Sequence, residues 1–149
     1  MENNFETYYL EIASYSKEQL DEYAYKSFAF VNNQIKKQLT NDDSRLNLML
    51  DILECFLIVD GPVNEAERDL FCKITGYPDL SVEDLNKICA TAYAEQDKHK
   101  DVLAILKKNS EDVRDGLFFL GACLAAIDGE INVKEQKYIE EFVRVDIGK

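Results

Sequence analysis

The stretch CFLIVDGPVNEAERDLF, residues 55–71, has a counterpart in CLAAIDGEINVKEQKYI, residues 123–139, and the offset between the two is 68 residues. In both, an Asp-Gly pair separates an apolar run from the start of an amphipathic segment. The shared offset pairs Cys55 with Cys123, Asp60 with Asp128, Gly61 with Gly129, Val63 with Ile131, Asn64 with Asn132, Glu67 with Glu135 and Phe71 with Ile139. Self-similarity at a fixed offset is typical of an internal duplication. We therefore predict two helix–Asp-Gly–helix hairpins, over about residues 43–76 and 111–145, packed about a pseudo-twofold axis.

The composition around these two stretches favours an all-α protein. The chain has 149 residues, a length that fits one domain, with only two prolines and six glycines. No segment alternates apolar and polar residues for long enough to predict a strand. We therefore expect residues 1–149 to form a single helical bundle of about seven helices, with residues 1–40 as a flanking helical region.

Apolar periodicity ranks the predicted helices by burial. Residues 43–59 and 110–127 are apolar on two sides, which predicts that both helices lie at the centre of the fold. The first of them has one stripe formed by Leu46, Met49, Leu50, Leu53, Phe56 and Leu57 and a second formed by Leu48, Ile52, Cys55 and Val59. Two further predicted helices each carry one apolar face. The first begins at a capping box formed by Ser16 and Gln19, and its apolar face consists of Leu20, Ala24, Ser27, Phe28, Val31, Ile35 and Leu39. The second begins after Ser81, and its apolar face consists of Leu85, Ile88, Cys89, Ala92 and Tyr93. A shorter helix is predicted in DKHKDVLAILKKN, residues 97–109.

The formal net charge of -12 excludes several classes of partner. Nucleic acids and anionic lipid surfaces are bound by neutralising phosphate charge with Lys and Arg, so we expect no nucleic-acid binding and no direct membrane insertion. The longest uncharged apolar run, residues 117–127, is too short to span a bilayer. The opening residues MENNFETYYL carry acids where a secretory signal needs Lys or Arg, so we expect a cytoplasmic protein.

Residue types that commonly carry chemistry are sparse. Cys55, Cys72, Cys89 and Cys123 are widely spaced among apolar residues, which predicts reduced core thiols. The single histidine, His99, lies in a charged run. No nucleophile elbow, phosphate-binding loop or zinc signature is present, so we predict that the protein is not an enzyme, with a metal-assisted carboxylate hydrolase as a remote alternative. Tyr8, Tyr9 and Tyr15 are predicted to close over the edge of the core, and partner binding is the alternative.

The repeated pattern D-G-x-[VI]-N-x-x-E has a structural interpretation and a chemical one. In the structural one, Gly61 and Gly129 end helices with positive φ, while Asn64 with Glu67 and Asn132 with Glu135 form capping boxes, preceded by Val63 and Ile131 as hydrophobic staples. An Asp in the last turn of a helix is disfavoured by about 0.3–1 kcal/mol, and this occurs twice. Either an Asx-type turn compensates, or a cation is shared between the Asp and Glu carboxylates.

The chemical interpretation would need both turns. The pattern overlaps the second half of an EF-hand loop, but the upstream ligand positions are apolar, Phe56 and Ile58 in one copy and Leu124 and Ala126 in the other. Neither turn therefore supplies enough ligands alone, and a metal site would have to pool carboxylates from both.

These two stretches resemble the TerB-like tellurite-resistance family, which includes a related domain of J-domain co-chaperones. The match extends from about Asp43 onward. The resemblance implies an all-helical, duplicated fold with an acidic cluster that binds a divalent cation, calcium or magnesium. Carried over to this chain, the ligands would be Asp60, Glu67, Asp128 and Glu135, and Pro62 stands where the second turn has Glu130. The implied function is a non-enzymatic stress-response module that binds a cation and engages a protein partner. The alternative is a metal-free interaction scaffold whose Asp-Gly turns are structural.

Overall fold

The computed structural model describes residues 2–59, 61–76, 80–95, 111–127 and 131–143. These ranges contain seven α-helices and no β-strand, which confirms the prediction of an all-α bundle. The helices are α1 (Glu2–Ala13), α2 (Lys17–Lys36), α3 (Asp42–Ile58), α4 (Glu65–Thr75), α5 (Val82–Ala94), α6 (Glu111–Ala126) and α7 (Val133–Val143). Within those ranges, none of the helices combines the length and the apolar character that crossing a membrane requires.

Local capping signals set most of the helix starts. The Ser16–Gln19 capping box at α2 is present in both directions, since the Gln19 N–H donates to Ser16 Oγ at 3.1 Å and the Ser16 N–H donates to Gln19 Oε1 at 2.9 Å. Asn41 caps α3 by accepting the Ser44 N–H. Helix α4 ends at Gly76, whose φ of 83° lies in the left-handed region that glycine adopts without a steric penalty.

The core is built around α3 and α6. Among the described helices these two bury the most side chains, as their two-sided apolar patterns predicted. Helix α6 packs most extensively against α2 and also contacts α7, α3 and α1, while α3 packs mainly against α5. Helices α2 and α6 approach closely at Gly116, where an added Cβ would lie 2.5 Å from Cγ2 of Val31. The predicted superposition of two hairpins stays a prediction, because residues of both Asp-Gly turns lie outside the described ranges.

The prediction that Leu46 lies on a buried face of α3 was wrong. Its side chain is 51% exposed, although the apolar stripe of that helix included it. The adjacent Arg45 takes the inward position instead, because its guanidinium donates hydrogen bonds to Asn32 Oδ1 at 3.0 Å and to the Leu39 carbonyl at 3.1 Å. An arginine that satisfies the end of α2 therefore displaces the leucine toward solvent.

Helix α5 buries a narrower stripe than its sequence predicted. Leu85, Cys89 and Ala92 are buried as expected, but Ile88 is 40% exposed and Tyr93 is half-buried. Among the described helices, α5 packs extensively only against α3 and has a small contact with α4. A single neighbour covers a narrow face, so residues at the margin of the apolar stripe stay partly in water.

Two further predictions concern helix boundaries. Helix α2 ends at Lys36, and Leu39, which was predicted on its apolar face, is half-buried in the segment that follows. The predicted helix in residues 97–109, together with His99, lies outside the described residues.

Candidate functional site

The first Asp-Gly turn is described from Gly61 onward, and it is a tightly hydrogen-bonded cap. Gly61 has a φ of 130°, as the structural interpretation required. The Asn64 N–H donates to Glu67 Oε1 at 3.0 Å and the Glu67 N–H donates to Asn64 Oδ1 at 2.9 Å, which completes the predicted capping box. Asn86 of α5 accepts the Val63 N–H at 2.7 Å and donates to the Val63 carbonyl at 3.0 Å. The turn is therefore held from both its own helix and α5.

The second turn repeats the same cap at the offset of 68 residues. The Asn132 N–H donates to Glu135 Oε1 at 3.0 Å, and the Glu135 N–H donates to Asn132 Oδ1 at 2.8 Å. Here Gln136, from the same helix, donates to the Ile131 carbonyl at 2.9 Å. Both predicted capping boxes are thus confirmed. Glu67 and Glu135 are each buried, with 6% and 4% of the residue exposed.

The apolar residues before the two caps pack differently from a hydrophobic staple. Val63 and Ile131 are buried and belong to the hydrophobic core. The staple motif pairs such a residue with an apolar one at the fourth helical position, but those positions hold Arg68 and Gln136. Val63 and Ile131 therefore join the general core.

Of the four predicted cation ligands, the described residues include Glu67 and Glu135. Asp60 and Asp128 lie outside them, as does Gly129. In each described glutamate one carboxylate oxygen accepts a backbone N–H of its own cap. Within the described part of the chain, no group of three or more His, Cys, Asp or Glu side chains is placed to hold a metal ion. A pooled cation site across the two turns stays a prediction.

A buried acid that the sequence analysis did not single out lies on α3. Glu54 is 7% exposed, and burial, followed by the charge and hydrogen bond of Asp51, raises its pKa from 4.5 to about 8. Burial, followed by the nearby charges of Glu54, Cys55 and Glu67, also raises the pKa of the Cys89 thiol on α5. The sequence does contain a signal for this buried acid, because Glu54 is a charged residue within a helix that is apolar on two sides.

The cysteines behave as core residues. All four are free thiols; Cys55, Cys89 and Cys123 are buried, and Cys72 is half-buried. Burial raises the pKa of Cys123 to about 12, which keeps it protonated and unreactive at neutral pH. The prediction of reduced core thiols is confirmed for the three buried residues.

An open groove lies between α1 and α6, and we call it the aromatic groove. Its volume is about 510 Å³, and its lining consists of Tyr8, Glu11, Ile12, Tyr15, Arg114, Asp115, Phe118 and Phe119. Two ring clusters form its walls. Tyr8 meets Phe118 edge to face, with ring centroids 6.0 Å apart. In the second cluster, the ring centroids of Tyr15 and Tyr23 are 5.1 Å apart, and those of Tyr23 and Phe119 are 5.7 Å apart.

The three N-terminal tyrosines divide between core and groove. Tyr9 is 4% exposed and its O–H donates to Glu140 Oε2 at 2.9 Å, so it closes over the core as predicted. Tyr8 is 52% exposed at the rim of the groove, so the prediction that it closes over the edge of the core was wrong. Both rings contact Phe118, but successive residues of a helix point in different directions, so Tyr9 reaches the core while Tyr8 stays at the rim. Tyr15 is half-buried, and its O–H donates to Glu11 Oε2 at 2.9 Å.

Three charged residues line the aromatic groove, Glu11, Arg114 and the exposed Asp115, and Asp115 also borders a second groove. Its side chain forms no hydrogen bond or ion pair with any other residue in the described ranges. Partial burial raises the pKa of Asp115, and Glu111 and Asp112 on the same helix add to the effect, while Arg114 opposes it. A second groove of about 300 Å³, toward α2, shares Asp115 and Phe119 with the first. Asp115 thus stands where the two grooves meet.

No family model, curated protein or solved structure matches this chain. The resemblance to the TerB-like family therefore stays a prediction made from the two Asp-Gly stretches.

Proposed function

We propose that this protein is a non-enzymatic helical module that binds a segment of a protein partner in its aromatic groove. The observation that carries the proposal is an open groove of about 510 Å³ whose walls are aromatic and whose rim residue Tyr8 is half exposed. Concave sites lined by aromatic and apolar side chains with a few polar groups are the usual location of binding sites in proteins.

The residue types in the groove favour a protein partner. Tyrosine and phenylalanine are enriched at the centres of protein interfaces, where they bury a large area with few rotatable bonds. Tyr8 adds a polar O–H at the rim, which suits a surface that is dry in the complex and wet without it. The groove runs between two helices, a common location for a binding site in a helical bundle.

The two capping boxes support the metal-free form of this proposal. Glu67 and Glu135 are the recurrent acids of the Asp-Gly pattern, and each has a carboxylate oxygen committed to a backbone N–H. Their recurrence is therefore accounted for by helix capping, which stabilises a helix start by about 1 kcal/mol. The cation site and the stress-response role both rest on the TerB-like resemblance, and we keep them as secondary proposals.

A peptide selection tests the groove directly. A display library of helical peptides is panned against the protein, and the affinities of the enriched peptides are then measured for the variants Tyr8→Ser and Tyr25→Ser. Tyr25 is the matched control, because it is 54% exposed on α2 and does not line the groove. We expect Tyr8→Ser to weaken binding at least about fivefold, the equivalent of about 1 kcal/mol, and Tyr25→Ser to leave it unchanged.

Two results would contradict the proposal. Either no peptide is enriched over the naive library, or the enriched peptides bind Tyr8→Ser and the parent protein equally well. Circular dichroism melts of both variants check that neither substitution unfolds the protein.

A further inference from the structure

We infer that the aromatic groove selects a basic side chain of its partner, a Lys or Arg whose apolar stem lies on the rings and whose cationic head faces Asp115. This inference rests on the proposed function and names the kind of side chain that the groove binds. The occupant is thus a protein segment that combines apolar residues with a central basic one.

Asp115 supplies the negative charge that a basic side chain would meet. Its carboxylate lines the groove, and it has no hydrogen-bond or ion-pair partner among the residues that the structure describes. Desolvation raises the pKa of Asp115, Glu111 and Asp112 add to the effect, and Arg114 opposes it. A cation placed beside Asp115 would stabilise its charged form, whereas a neutral or acidic side chain would not.

The described basic residues near the groove, Arg114 and Lys26, already have acidic partners. Arg114 Nη2 lies 3.7 Å from Glu111 Oε2, and Lys26 Nζ lies 2.7 Å from Glu22 Oε2. Glu11, on the opposite wall, adds a second carboxylate to the lining. With a formal net charge of -12 on the whole chain, the long-range field also favours a basic partner.

The aromatic lining of the groove suits both the stem and the charge of a basic side chain. The face of an aromatic ring carries partial negative charge and attracts a cation that lies over it within about 6 Å. Both sides of the groove present rings, Tyr8 and Tyr15 on one side and Phe118 and Phe119 of α6 on the other. Lys and Arg have apolar stems that pack on such rings while the charged head stays near water. The rings and the carboxylate of Asp115, which has no ion-pair partner among the described residues, match both parts of such a side chain.

The test compares the sequences of peptides selected by three proteins from one helical library. The parent, Asp115→Asn and Asp84→Asn are panned in parallel. Asp84 is the matched control, because it is an exposed aspartate on α5, outside the groove lining. We expect the pool selected by the parent to be enriched about fivefold in Lys or Arg at one position. The enrichment should disappear with Asp115→Asn and persist with Asp84→Asn.

The strongest peptide is then titrated directly. Replacement of its basic residue by norleucine, which keeps the apolar stem, should weaken binding to the parent about fivefold and leave binding to Asp115→Asn unchanged. Groove-dependent peptides without a basic residue, or enrichment that survives Asp115→Asn, would overturn this inference and leave the proposed function intact. A failure to enrich any peptide that is sensitive to Tyr8→Ser would overturn both.

Discussion

Glu54 should make the stability of this protein fall as the pH rises. The carboxyl of Glu54 is buried on α3 and hydrogen-bonded to Asp51, and its pKa is raised from 4.5 to about 8. Above pH 4.5 the unfolded chain releases this proton while the folded chain keeps it. The folded state thus binds more protons than the unfolded one, so the free energy of unfolding decreases between about pH 4.5 and 8 and then levels off.

The size of the effect follows from the pKa. A tenfold change in proton affinity is worth ~1.4 kcal/mol, so a pKa of about 8 in place of 4.5 sets a ceiling of roughly 5 kcal/mol. The effective dielectric constant of a real protein interior screens part of this energy, and we expect about 2–3 kcal/mol. In a chain of this length, that difference corresponds to a melting temperature change of roughly 5–10 °C.

The variant Glu54→Gln isolates the effect, because glutamine keeps the shape and a hydrogen-bond donor toward Asp51 but cannot ionise. Urea denaturation followed by circular dichroism at pH 4.5, 6, 7.5 and 9 should show Glu54→Gln about as stable as the parent at pH 4.5. At pH 9 the variant should be more stable by about 2–3 kcal/mol.

The exposed Glu83 on α5 supplies a control for the loss of one negative charge, so Glu83→Gln should show no comparable gain at pH 9. The prediction is refuted if the free energies of unfolding of Glu54→Gln and the parent differ by the same amount at every pH. It is also refuted if Glu83→Gln gains as much stability at pH 9 as Glu54→Gln.

Three further predictions concern packing, capping and the cation hypothesis. Gly116→Ala should destabilise the protein by about 1–2 kcal/mol, because overpacking against Val31 outweighs the gain of about 1 kcal/mol in helix propensity; adding Val31→Ala should relieve the clash in a double-mutant cycle of urea melts. Asn64→Ala should cost about 1 kcal/mol in the same assay, because it removes the acceptor for the Glu67 N–H, and an unchanged midpoint would contradict the capping role. If the predicted cation site exists, calcium or magnesium should raise the melting temperature of the parent but not of Asp128→Asn, whereas no response in either protein would favour the metal-free scaffold.

Helix type and helix starts were predictable from the sequence because their causes are local. The Asn64–Glu67 and Asn132–Glu135 capping boxes depend only on residues three positions apart, and both formed as predicted. The centrality of α3 and α6 followed from apolar residues on two sides, because such a helix reaches low energy only with neighbours on both faces.

The groove and its chemistry were decided by the tertiary structure. The aromatic groove exists because α1 packs against α6, two helices from opposite ends of the chain, and the local periodicity of neither helix encodes that contact. The exposure of Tyr8, the lack of an ion-pair partner for Asp115 among the described residues and the raised pKa of Glu54 all depend on which groups lie nearby in space. Burial and Coulomb energies are set by those through-space distances, whereas capping and periodicity are set along the chain. For that reason the sequence alone determined the helices, and their packing determined which of their surfaces stay exposed.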